Sequence, residues 1–220
     1  MTNSQDAAAT TSTSIRAHHG EAQPALVLVN LGTPTAPEPG PVRAFLREFL
    51  SDRRVIEMSP LLWKPILEGI ILRVRPREVA GKYRSIWMDE GSPLMHYTRE
   101  QARLLGERLP GARVEVAMRY GQPSIGSVLD RLYAEGVRRV AILPAYPQYA
   151  ASTVTTINDA VAQWIGRNRD GFELRLHRSF PAAPAYIEAL ATALEHHWER
   201  VGRPNFLTGD RVVVSFHSIP

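Results

Sequence analysis

Five short runs rich in apolar and β-branched residues are set along the chain: Ala25–Leu31, Arg113–Met118, Arg138–Leu143, Glu173–His177 and Arg211–Phe216. Runs of this kind read as strands of a buried sheet. Patterns of helical period separate most of them, at Val42–Leu50, Thr98–Leu109, Ser124–Glu135, Thr153–Ile165 and Pro184–Trp198. Their punctuation agrees: Ser124 is placed to cap a helix start, Gly136 and Gly202 follow helix ends, and Pro184 opens a helix. Strand and helix in alternation imply parallel pairing, because each crossover returns the chain to the same edge. The expected fold class is α/β, a doubly wound parallel sheet with helices on both faces.

The last strand brings His217 to its carboxyl end, and Pro220 follows three residues later. A strand without a following helix leaves its faces uncovered, so a longer design is expected. Residues 1–23 are rich in Thr, Ser and Ala and read as a disordered tail, without the basic start and apolar run of a signal peptide. Residues 24–205 read as one domain with a long insertion near 51–109 and a connecting helix, and 206–220 as the start of a second domain. The formal charge, 26 − 22 = +4, is mildly basic and too spread out to argue for nucleic acid, which is not expected as a partner. No cysteine is present, which excludes disulfides and Cys-ligated zinc or iron–sulfur sites in these residues and fits a reducing cytoplasm. No stretch has membrane-spanning length.

The insertion contains the most apolar segment, Leu61–Leu72. Leu62, Trp63, Ile66, Leu67, Ile70 and Ile71 fall on one helical face, and Lys64, Arg73, Arg75 and Arg77 are interspersed or follow. Two readings stand at this point. One is a core-facing helix. The other is an apolar lip over a pocket, or a contact with an anionic membrane surface.

Four turns follow four of the strands: Asn30-Leu-Gly-Thr-Pro34, Met118-Arg-Tyr-Gly-Gln-Pro123, Leu143-Pro-Ala-Tyr-Pro-Gln-Tyr149 and Phe216-His-Ser-Ile-Pro220. In a parallel sheet they share one edge and line one cleft. That cleft would hold Arg119, Tyr120, Tyr146, Tyr149 and His217. Aromatic faces stack on flat ligands, arginine grips carboxylates, and histidine takes protons or binds transition metals. The set suits a large planar, acidic, metal-linked ligand. It suits a dinucleotide poorly, since the first turn has one glycine and Pro34 removes a backbone donor.

These turns carry a resemblance. Leu28-Val-Asn-Leu-Gly-Thr-Pro34, Phe49-Leu-Ser-Asp-Arg-Arg54, Tyr83-Arg84, Gly91-Ser-Pro-Leu94, Met118-Arg-Tyr-Gly121, Leu143–Tyr149 with Ser152-Thr153, and Ser215–Pro220 are similar to motifs of bacterial ferrochelatases, in the same order. The resemblance implies two similar doubly wound domains with a porphyrin cleft between them. It implies a lyase of haem biosynthesis that inserts Fe²⁺ into protoporphyrin IX, with His217 as catalytic base and metal ligand. Leu31, Arg53, Tyr83, Ser92, Arg119 and Tyr120 match family positions at the porphyrin. Leu31 stands where some relatives carry Tyr or Met, and leucine cannot ligate iron. The segment Leu61–Leu72 matches the family's lip, implying peripheral contact on the cytoplasmic face of the inner membrane.

The family runs well past Pro220 and carries there an acidic partner for the histidine, a role no residue here is assigned. The expectation is therefore an N-terminal portion, inactive alone. Asp89 and Glu90 read as a solvated loop pair, and His96, His177, His196 and His197 as structural or surface residues. No cofactor is expected: iron is substrate, and Ala151 stands near where some relatives place a cluster ligand. Two alternatives stay open, a non-catalytic porphyrin-binding fragment and a related cobalt or iron chelatase acting on a more carboxylated tetrapyrrole.

Overall fold

The computed structural model of the chain describes residues 22–168 and 170–215. Four strands form one all-parallel sheet: β1 (Ala25–Gly32), β2 (Arg113–Tyr120), β3 (Arg139–Pro144) and β4 (Glu173–Leu176), in the order β2-β1-β3-β4. β1 pairs on both sides, with Ala25 opposite Arg113 and Val140. The crossovers leaving β1 and β3 run in opposite directions, so the switch point of the sheet lies between them. The crevice outside the carboxyl ends at such a point is where open α/β sheets bind ligands.

Strand alternation divides the layers. Val27 and Val29 point into a core formed with Val128, Leu129 and Leu132 of α5 (Ile125–Ala134) and Ile157, Val161 and Trp164 of α6 (Thr156–Arg167). Trp164 is fully buried, stacks on Phe172 at 4.7 Å and donates from Nε1 to Asp130 at 2.7 Å. The opposite face carries α4 (Pro93–Arg108). There Asn30 Nδ2 donates to Thr98 Oγ1 at 2.9 Å, and that hydroxyl donates to Leu94 O at 2.6 Å. Beside α4 the described residues leave part of the sheet uncovered. A cleft of about 430 Å³ lies among Leu28, Leu104, Leu105, Leu143, Phe180 and Tyr186. A second, of about 330 Å³, lies at the amino ends of the strands.

α1 (Pro39–Leu50) precedes the insertion, which runs through α2 (Pro60–Ile66), a π-helical turn over Leu67–Ile71, and α3 (Leu72–Ile86). Leu67, Leu72, Pro76 and Ala80 are buried, while Leu61, Leu62, Ile66, Ile70 and Val74 are exposed. The core-facing reading of Leu61–Leu72 thus holds for only two of its residues. α7 (Pro184–Val201) buries none of its residues.

One strand expectation needs correction. Residues 211–215 form no strand, and Val213 is 87% exposed. A strand is stabilised by its ladder partner, and no strand among the described residues pairs with this stretch. Phe216 and His217 lie outside the described residues. The helix expected from Thr98 begins earlier, at Pro93, because Ser92 occupies the cap position with proline directly after it.

Candidate active site

Three turns meet at the carboxyl edge beside the switch point. Gly32 ends β1 and lies opposite Tyr120 in the ladder, with Thr33 and Pro34 directly after it. Arg119 and Tyr120 end β2, and Tyr146 follows β3. Tyr120 is completely buried, and Phe49 of α1 meets its ring edge-on at 5.1 Å. The Arg119 guanidinium lies 4.4 Å from the centre of the same ring. Both residues converge on Asp52, in the turn after α1: Arg119 Nη2 donates to Asp52 Oδ2 at 2.6 Å and Tyr120 OH donates to it at 2.9 Å. One residue beyond β2, the Gly121 N–H donates to Glu48 of α1 at 2.8 Å. The last turn of α1 thereby clamps the end of β2.

Four buried polar atoms in this region meet no partner among the described residues: Thr33 Oγ1, Arg119 Nε, Tyr146 OH and Asn158 Oδ1. Thr33, Arg119 and Tyr146 belong to the ends of three different strands, and Asn158 to the first turn of α6. Buried polar groups normally find hydrogen bonds, so these four atoms are unused hydrogen-bonding capacity in an otherwise paired structure. Burial pushes the Tyr120 hydroxyl above the ordinary phenol range. Burial also raises Tyr146, and nearby Tyr120 raises it further. Both phenols therefore stay protonated and neutral at physiological pH: Tyr120 donates to Asp52, and the Tyr146 hydroxyl is the one left to donate elsewhere.

The remaining expected site residues distribute around this cluster. Leu31 is half-buried at the end of β1, and its N–H donates to Asn30 Oδ1 at 2.8 Å. Arg53 is exposed next to Asp52, while Arg54 is paired with Asp159 of α6. Tyr83 lies on α3, half-buried, with Phe45 at 6.5 Å and Trp87 at 6.1 Å, and burial raises its hydroxyl. Phe45 stacks on Phe49, so aromatic contacts run without a break from Tyr83 to Tyr120. Ser92 is buried at the start of α4 and lines a separate cleft of about 220 Å³ with Thr33, Pro34, Trp87, Arg99 and Gln122.

Tyr149 does not join the buried cluster: its hydroxyl bonds Thr155 at 2.7 Å and its ring carries Arg178 at 4.4 Å. Asp89 and Glu90 are exposed in a turn closed by two bonds between Met88 and Gly91. His197 Nδ1 accepts from Arg200 Nη2 at 3.4 Å, and His96 and His177 sit against neighbouring aromatic rings. Among the described residues no three His, Asp or Glu side chains gather to hold a metal ion. His217, the expected base and metal ligand, lies outside them.

The family model described as Ferrochelatase matches residues 23–220. Among curated proteins, the Ferrochelatase of Methylibium petroleiphilum is 48% identical over 207 residues, covering 92% of this chain and 56% of that protein. The Ferrochelatase of Yersinia enterocolitica serotype O:8 is 47% identical over 195 residues, covering 89% and 59%. The protein named Ferrochelatase 1 of Shewanella oneidensis is 46% identical over 200 residues, covering 89% and 58%. The chain spans about half the length of the curated relatives it matches.

Proposed function

The chain belongs to the ferrochelatase family, and from that premise we propose that its carboxyl-edge cluster is one wall of a site that inserts Fe²⁺ into protoporphyrin IX, the lyase step that forms haem. The observation that carries this reading is the meeting of Arg119, Tyr120 and Tyr146 at the switch point, with buried donors left unpaired, in a chain matched over residues 23–220.

Metallation removes two pyrrole protons and brings a divalent metal to the freed nitrogens. Within this reading His217 takes the protons, since a neutral imidazole accepts a proton near pH 7 and also suits ferrous iron. Arg119 and the neutral phenol of Tyr146 give the macrocycle a polar floor. Tyr120, fully buried, acts on the ring through Arg119. Leu31 offers an apolar contact and no axial ligand. Tyr83 and Ser92, with the exposed Arg53, are the candidates for the periphery and carboxylates of the ring. The exposed lip residues Leu61, Leu62, Ile66 and Ile70 provide peripheral contact with a membrane on its cytoplasmic side, from which an apolar substrate is drawn. The sequence has no cysteine for a Cys-ligated cluster, and the reading requires no cofactor.

Titration of the chain with protoporphyrin IX tests the reading. A saturable shift of the Soret band is expected, weakened about tenfold in Arg119→Ala, the loss associated with one charge-assisted contact. Absence of a saturable shift in a folded chain overturns it.

A further inference from the structure

The carboxyl-edge cluster is organised around a carboxylate that no strand supplies. Asp52 stands in the turn after α1, and its side chain is 10% exposed. Its Oδ2 accepts from Arg119 and Tyr120, and its Oδ1 accepts from the Arg54 N–H at 2.8 Å. With both oxygens engaged, the carboxylate cannot turn away without breaking a bond. Arg119 is held from two directions, by Asp52 at Nη2 and by the Tyr120 ring beneath its face. Phe49, three residues before Asp52, fixes that ring in turn.

This geometry bears on what Arg119 can do. An arginine that grips a ligand carboxylate offers two free donors along one edge of its fork. In Arg119 one terminal nitrogen is committed to Asp52, and Nε is buried without an acceptor among the described residues. The ion pair also cancels the guanidinium charge in a partly buried place. A bare cation there would repel an approaching divalent metal, the more so where little water screens it.

We propose that Asp52 is a positioning residue of the site: it fixes Arg119 and neutralises it, so that Arg119 faces the macrocycle and its metal rather than binding the ring's carboxylates. The proposal rests on the ferrochelatase reading for its ligand. The clamp itself does not.

The experiment titrates the 220-residue chain and Asp52→Asn with two probes in the same detergent, protoporphyrin IX and its dimethyl ester, which lacks free carboxylates. Asp52→Asn is expected to weaken both by a similar factor, about tenfold, as expected for loss of charge-assisted contacts. Two outcomes overturn the proposal. Affinities for both probes within twofold of wild type would make the pair merely structural. Tighter binding of the free acid alone would mean that Asp52 competes with a ligand carboxylate for Arg119. Arginine side-chain ¹⁵N spectra of both proteins, with Arg119→Lys for assignment, read the clamp directly. A distinct, slowly exchanging Arg119 guanidinium is expected in wild type and lost in Asp52→Asn, while an averaged signal in wild type overturns the clamp. If the folded wild-type chain shifts neither probe, the ferrochelatase reading fails, and the ¹⁵N spectra alone decide the clamp.

Discussion

Gly32 ties the site to the fold at a single atom. Its φ is +113°, and a Cβ placed there would lie 1.8 Å from the Tyr120 carbonyl oxygen. No rotamer change relieves such a clash, because both partners are backbone. Gly32→Ala is expected to cost about 3 kcal/mol, combining an unfavourable φ with forced separation of β1 and β2. Urea unfolding measures it, and a loss under about 1 kcal/mol would contradict the close approach of the two strands. In the sequence this glycine was visible only as the single glycine of a turn in which a dinucleotide loop needs several. What it does depends on Tyr120, far along the chain. Asp52 stands in the run Phe49–Arg54, but its role was hidden for the same reason. A charge in a turn after a helix looks like any solvated residue, and its partners lie 67 and 68 residues away. Arg119 and Tyr120 were legible because they share one turn, whose position after a strand already placed them at the edge.

At the scale of elements, four strands and their crossovers were readable because apolar runs and helical period are local signals. Direction of facing is not local. The period of Leu61–Leu72 defines a stripe but not the surface it meets. In the folded chain Leu67, Leu72, Pro76 and Ala80 are buried in the arm that packs along α1, which turns Leu61, Leu62, Ile66, Ile70 and Val74 outward. The run at 211–215 failed as a strand for a related reason: β-branched residues favour an extended chain, but a ladder needs a neighbour. The outward stripe carries its own prediction. With Lys64, Arg73, Arg75 and Arg77 exposed on the same arm, co-sedimentation with phosphatidylserine vesicles is expected, weakening as salt is raised. The double substitution Leu62→Asp, Ile70→Asp should lower the bound fraction about tenfold or more while leaving the unfolding midpoint nearly unchanged, since both side chains are exposed. Vesicle binding equal to wild type in that variant would remove the lip from any membrane role.

At the scale of the whole molecule, the two faces of the sheet are not equally finished. One carries α5 and α6 over a continuous core. The other carries α4 over β1 and β2 and leaves clefts of about 330 and 430 Å³ along the rest. Parallel sheets are ordinarily covered on both faces, because their strands are apolar on both. Ile187, Leu190 and Leu194 of α7 add apolar surface that nothing in the described residues covers. The chain is therefore expected to brighten 1-anilinonaphthalene-8-sulfonate and to self-associate as its concentration is raised, as exposed apolar patches do. Dye binding alone is ambiguous, since a loosened core gives it too. The near-ultraviolet circular dichroism separates the cases. Trp164, locked between Tyr133 at 5.9 Å and Phe172 at 4.7 Å, should keep its signal if the apolar surface is native. A bright dye with a lost tryptophan signal would mean that the α5–α6 layer is itself unpacked. A dark dye with a monomeric chain would mean that the open face closes in solution.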